Sequence, residues 1–423
     1  MSWEVISVAS FLLAYASKRA LDQALKRLSE PGSLGALVLQ KGTFRRATGH
    51  VLSWARIDAR GIFIRQRNEA SSTYIEKYVH EPILCSGDFR FPYAHYLSFF
   101  KGIPFPVNPN RLVAIPAGKF DLDKTIKIQG YRNAAVQYRK NKKHLIPFEG
   151  PTVRINEWNG DEQFTLSEAD YTDQFVTNQR EVVDEKIDNI LLDSRIPTPP
   201  YYCGKSLREL DMQEAKLKPF SSSVLANTIG IAGTVVTSDG YLILPRRNKT
   251  VHYEPGLEGC SVSGVLKWSE GLFKSFIKEL ERQLTGGEGP EELLLKGARV
   301  TIVPLAFCRE LQRAGKPQFF FHIWADMTLK ELQGEWKDSK YPRAEYDSIR
   351  WIRLFGPVSR QSAKTAIGNA ISTILALLNP KTAFRLGRHG RVALNEEMRT
   401  NLFYLAAYVG AKEARALPKH WLK

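Results

Sequence analysis

Arg246 and Arg247 end a short apolar run, residues 241–245, that follows the turn-forming triplet Ser238-Asp239-Gly240. Beyond them come glycines at 256, 259 and 264, an acid at Glu270, and then Lys278, Glu279, Arg282 and Gln283 inside an apolar-periodic stretch over 272–284. On a helix, positions 279, 282 and 283 are spaced i, i+3 and i, i+4, so they project from one face. Guanidinium groups meet phosphate through a planar fork, and carboxylates hold cations or move protons, so these are the residue types for polyanion chemistry. A second group is denser: residues 131–144 carry Arg132, Arg139, Lys140, Lys142 and Lys143 with Tyr131 and Tyr138 among them. Cations on phosphate with bases stacked on tyrosine would suit single-stranded nucleic acid, and lipid headgroups are a competing partner for the same cations; a solvated basic surface is the plainer reading of the run. A third lies near the end, where Arg385, Arg388 and Arg391 fall in the Gly-containing run FRLGRHGR, which could embrace phosphate or simply connect two helices.

The elements that must position the first group follow one another in a definite order. Residues 228–237 read as an apolar strand, 238–240 as a hairpin turn and 241–245 as the return strand. The glycine-containing loop, a helix over 272–284 and strands over 299–310 and 318–326 come next. This order, and the run Gly264, five residues, Glu270, seven residues, then Lys278-Glu279-Leu280-Glu281-Arg282-Gln283, resembles the Nudix superfamily, whose members hydrolyse a nucleoside diphosphate linked to another moiety. The family motif reads Gly, five residues, Glu, seven residues, then Arg-Glu-apolar-any-Glu-Glu. The resemblance covers residues 227–330 of the 423. It implies a Nudix-like α/β/α sandwich with a mixed sheet, Glu279 and Glu270 as catalytic residues, and Mg²⁺ or Mn²⁺ held at Glu279. It also implies a ligand-binding role for Arg246, since an Arg at that strand end often faces substrate in the family.

The motif's spacing is kept while its identities change. Arg282 and Gln283 stand in two of the three metal-ligand Glu positions, and Thr285 stands where a Gly is usual. An Arg about 4 Å from a divalent cation repels it by several kcal/mol at an effective dielectric of about 20. Glu281 does not substitute, because it lies about 200° around the helix from Glu279. The expectation is therefore an anion pocket in which Arg246, Arg247, Lys278, Arg282 and Gln283 meet a nucleotide or other diphosphate-containing ligand directly. A divergent Mg²⁺-dependent hydrolase is the second reading, and a nucleic-acid- or membrane-associated adaptor the third.

The rest of the chain frames that segment. With 423 residues, 43% of them hydrophobic, it is long enough for two or three cores, which excludes a disordered tail or a disulfide-stapled miniprotein. Its net charge of +16 resolves into +12 over 1–150, −6 over 151–220, +2 over 221–330 and +8 over 331–423, so the bulk charge belongs to the flanks. Four cysteines, at 85, 203, 260 and 308, form no zinc spacing, and a reduced, cytoplasmic protein is expected. Residues 1–30 read as an amphipathic helix ended by Pro31-Gly32, too short in apolar length to span a bilayer but suited to packing or to peripheral membrane contact. The expected organisation is that helix, a basic α+β region over 31–150, an acidic helical connector over 151–222, the Nudix-like unit over 223–355 and a basic helical extension over 356–423. Within the connector, single helices are expected over 170–193 and 206–217, the latter with Ser206 and Glu209 as a capping box.

Overall fold

The computed structural model describes residues 73–86, 89–100, 113–142, 150–158, 163–249, 254, 256–268, 300–338, 346–355, 363–378 and 392–410. Helix α1 (Thr73–Lys77) leads into strands β1 (Ile83–Ser86), β2 (Phe89–Ser98) and β3 (Val113–Lys119), then helices α2 (Leu122–Ile126) and α3 (Tyr131–Asn141). Strands β4 (Pro151–Trp158) and β5 (Gln163–Asp170) follow, then short helices α4 (Tyr171–Phe175), α5 (Arg180–Val183), α6 (Ile187–Leu192) and α7 (Leu207–Leu210), and the small hairpin β6 (Met212–Gln213) and β7 (Lys216–Leu217). The remainder is β8 (Gly230–Thr237), β9 (Tyr241–Arg247), β10 (Val262–Val265), β11 (Val300–Glu310), β12 (Lys316–Ala325), α8 (Leu329–Asp338), β13 (Tyr346–Arg353), α9 (Ala363–Leu378) and α10 (Glu396–Gly410).

These elements make a mixed α/β fold around one large mixed sheet, ordered β1-β2-β11-β12-β8-β9-β13, with β10 also pairing β8. Only the β8–β12 pair is parallel among its ladders. Those two central strands are buried along their whole length, which is why GIAGTVVT and KPQFFFHIWA carry so little surface polarity. Their side chains alternate between two cores. Phe320, Trp324, Ala232 and Val236 pack with Ala370, Ile374, Leu402 and Tyr404 of α9 and α10. Phe319, Phe321, Ile323, Ile231 and Val235 pack instead with Val153, Ile155, Phe164 and Leu166 of β4 and β5, and with Leu329 and Leu332 of α8. The expected C-terminal helices thus form, and they cover one face of the sheet.

Along β8, the outer edge is shared between two strands. Its Val236 end pairs Leu242 of β9, and its Gly230 end pairs Val265 of β10. Where β9 splays away, the Ser261 hydroxyl fills the gap, accepting from Val235 N at 2.9 Å and donating to Ile243 O at 2.6 Å. The 238–240 turn forms as expected. Gly240 has φ 90°, and a Cβ there would lie 2.3 Å from Phe355 O.

The segment over 170–193 is three short helices rather than one. The first break falls at Thr177 and Asn178, whose side chains accept from the backbone N–H groups of Ala226 and Asn227 at 3.1 and 2.9 Å and so tie this turn to the segment before β8. Ser206 and Glu209 do form the capping box, but the helix stops at Leu210, and a hairpin with Glu214 and Ala215 at positive φ takes over. Strand pairing also crosses position 150: β3 runs parallel to β5, which pairs antiparallel with β4. The N-terminal helix and residues 31–72 of the expected α+β region lie outside the described residues.

Candidate functional site

Glu270, Lys278, Glu279, Arg282 and Gln283 lie outside the described residues, and so does Lys143. The segment that leads into them is described. Strand β10 carries Gly264, the first motif position, and the chain continues past Val265 with Leu266 accepting from Val153 N at 2.9 Å and donating to Ile229 O at 2.9 Å. Arg246 and Arg247 sit at the end of β9, as expected. Being consecutive in a strand, they leave it on opposite faces and do not form one two-pronged grip. Arg246 Nε donates to Gly256 O at 3.1 Å. The stem of Arg247 lies across Gly259, 3.5 Å from where a Cβ would stand and beside Asn395, the residue that caps α10.

Next to that point the sheet ends in charge. On the α10 side of β12, the alternation that gives Trp324, His322 and Phe320 continues into Gln318 and Lys316, both buried. Lys316 pairs in register with Glu310 at the end of β11, and Gln318 with Gly230. A Cβ at Gly230 would run into the Gln318 Oε1 and Lys316 Nζ tips, so any side chain there would displace both. The Lys316 ammonium donates to Gln318 Oε1 at 3.2 Å, while Gln318 Nε2 is buried with no hydrogen-bond partner. Glu310 Oε1 pairs with Arg313 Nε at 3.1 Å. From α10, Glu397 Oε2 accepts from the Ser263 hydroxyl at 2.8 Å, and Glu396 pairs with Arg399 at 2.6 Å. Glu254, held at φ 45°, adds a fourth carboxyl whose Oε2 has no partner. Ser263 immediately precedes Gly264, so the motif begins at the wall of this cluster.

Burial dominates the electrostatics. It pushes the Glu254 carboxyl up to about 8, helped by the charges of Glu310, Glu396 and Glu397 and opposed by Arg313. It pushes Glu397 and Glu396 up as well, against Arg313 and the Ser263 bond in the first case and Arg399 in the second. Burial and the neighbouring Arg313 bring the Lys316 amine down to about 7. Uncharged and charged forms of Glu254 and of Lys316 are therefore close in energy near neutral pH. Sequence reading missed Lys316, Arg313, Gln318, Glu254 and Glu397. The available signal was the strand register itself, which places Lys316 and Gln318 on the face of Phe320 and Trp324.

Among the described residues, no three His, Cys, Asp or Glu side chains are arranged to hold a metal ion. Glu279 and Glu270, the ligands the resemblance implies, lie outside those residues.

Residues 131–141 of the basic run form α3, and their chemistry differs from expectation. Arg139, expected to contact nucleic acid or lipid, is fully buried, 3.6 Å from Glu181 and stacked 5.3 Å from the Phe175 ring centroid. Tyr131 and Tyr138 are buried too, and the Tyr138 hydroxyl donates to Glu185 Oε2 at 2.5 Å. No stacking platform is left on this helix, because its apolar face carries the aromatic rings into the core made with α6 and α7. Lys140 and Lys142 remain exposed. No described helix is long and apolar enough to cross a membrane.

No family model matches the chain, and no curated protein matches it. Among solved structures, the crystal structure of DR0079 from Deinococcus radiodurans is similar over 45% of this chain and 83% of that one, at 16% identity and a TM-score of 0.25.

Proposed function

We propose that this chain is a Nudix-like protein that binds a nucleotide or another diphosphate-containing ligand at the end of the sheet where β10 leaves β8. One observation carries the reading: Gly264 follows directly on Ser263, whose hydroxyl joins a buried cluster that includes Lys316 and Arg313. The first glycine of the motif therefore stands at a wall already furnished with cations, and Arg247 lies over Gly259 on the approach to α10. Helices α9 and α10 supply one helical layer on the mixed sheet, while β4, β5 and α8 cover its other face. Buried cations next to a strand end recognise phosphoryl oxygens through charge-assisted hydrogen bonds, with Arg282 from the helix adding a bidentate fork.

The test is thermal stabilisation of the full chain by ADP, ADP-ribose and inorganic pyrophosphate in the presence of EDTA. A ligand at a hundred times its Kd stabilises by about 2.7 kcal/mol, enough to raise Tm by several degrees. Arg282→Glu should abolish the shift. Absence of any shift across a broad nucleotide panel would overturn the reading. Turnover with Mg²⁺ or Mn²⁺ that Glu279→Gln removes would replace it with the hydrolase.

A further inference from the structure

We propose that the strap between α6 and α7, residues 195–201, is a polyproline II ligand that docks into the aromatic-lined, acidic-rimmed groove of a partner protein domain. Prolines stand at 197, 199 and 200, and each fixes its own φ at about −65° while holding the residue before it extended. Pro199 has φ −62° and ψ 143°, the polyproline II values, and none of the described peptide bonds is cis. That helix repeats about every three residues, and burial follows the repeat. Ile196 and Pro199 are half-buried and Tyr202 is buried, whereas Pro197 and Pro200 are both exposed. The single 3₁₀ turn Pro200–Tyr202 keeps the same period. One edge of the strap therefore packs on the fold, and the opposite edge presents two prolines at i, i+3, the spacing that proline-reading grooves engage.

Both ends are tied down. Arg195, at φ 55°, turns the chain out of α6, and Ile196 N donates to Leu191 O at 3.3 Å. At the other end the Tyr202 hydroxyl donates to Ile126 O at 2.5 Å, and Gly204 N donates to Asp188 Oδ2 at 2.5 Å. The strap is thus held in its docking shape before a partner arrives, which removes much of the ordering cost a free proline peptide carries. The flanks complete the surface. Leu192 is 73% exposed and Tyr201 63%, two of the three large hydrophobic side chains left exposed among the described residues. Cations accompany both: Arg195 is exposed two positions before Pro197, and the Lys205 ammonium lies 4.0 Å from the Tyr201 ring centroid. The acids beside the strap, Asp188 and Asp193, accept from Gly204 N and Asn141 Nδ2. A groove that fits this edge has aromatic walls for the prolines and carboxylates on its rim for the cations.

The test titrates the full chain with isolated SH3, WW and EVH1 domains of acidic rim, read by calorimetry and by the fluorescence of the groove aromatics. At least one domain should bind, lose affinity as salt is raised, and be displaced by a synthetic peptide of residues 194–202. The double variant Pro197→Ala with Pro200→Ala should bind about tenfold or more weakly. Its Tm should fall by no more than a few degrees, the effect of a freer unfolded chain, because both rings face solvent. Arg195→Glu and Tyr201→Ala alter exposed side chains alone and should each weaken binding severalfold. No binding by any of the three domain classes, or binding unchanged in the double variant, would overturn the proposal. None of these substitutions touches a residue assigned to the nucleotide site, so either reading can fail without the other.

Discussion

Single atoms decide how the split edge of β8 is tolerated. Val235 N and Ile243 O are buried ladder groups with no strand partner where β9 parts from β8, and one hydroxyl serves both. Ser261→Ala leaves both unpaired and should cost about 1–3 kcal/mol, read as a lower urea midpoint at unchanged m-value. His322 is a second such case. Its Nδ1 shares a hydrogen with Thr234 Oγ1 at 2.9 Å while the ring lies edge-on to Trp324, and burial brings its pKa down to about 3. The unfolded chain therefore takes up a proton through pH 6.5 that the folded chain refuses, and stability declines as pH falls from 6.5 toward 3. His322→Gln should flatten that acid limb of the stability curve. Neither role can be read from residue type: the serine sits in a run, GCSVSG, with another serine two positions on, and the histidine in a strand of aromatics.

At the level of elements, α10 brings a polar end and an apolar body to one face of the sheet. Asn395 Oδ1 accepts from Met398 N at 2.8 Å, and Glu396 and Glu397 stand in the first turn, where negative charge suits the helix dipole. Asn395→Ala should lower stability by about 1 kcal/mol in chemical denaturation. This helix and α9 were legible in advance, since long apolar-periodic stretches specify type well. The segment over 170–193 was not. Its composition favours helix throughout, and the interruption at Thr177 and Asn178 depends on the backbone of residues 226 and 227, about fifty positions away. Helix α8 went unrecognised although Thr328 and Glu331 form a reciprocal cap, with Thr328 N donating to Glu331 Oε2 at 2.7 Å. A three-residue signature of this kind was available in the sequence.

Across the whole molecule, one side chain joins three regions that are remote in sequence. Arg208 of α7, 1% exposed, directs its fork to Asp184 at 2.6 and 3.1 Å, to the Tyr78 hydroxyl at 2.9 Å, and to Leu311 O and Gln312 O at 2.6 and 2.7 Å. The helical segment, the N-terminal α1 region and the turn between β11 and β12 meet there. Arg208→Ala strands several buried acceptors and should cost about 3–5 kcal/mol in denaturant unfolding. Arg208→Lys should recover little of it, because an ammonium on a flexible stem cannot serve these acceptors in the planar arrangement a guanidinium provides.

By itself the sequence determined the strands β8, β9, β11 and β12, the hairpin at Gly240 and the spacing that resembles a Nudix motif, all of which depend on neighbours within a few residues. It also located the bulk charge in the flanks. The tertiary structure alone decided that Arg139 and both tyrosines of α3 are core residues, because a cationic helix hides its rings only when another layer covers them. It decided as well that Lys316, Arg313, Glu310, Glu254 and Glu397 share one buried site. Those five are separated by up to 143 positions, and their pKa values are set by desolvation and by one another, quantities that exist only once the sheet and α10 have closed over them.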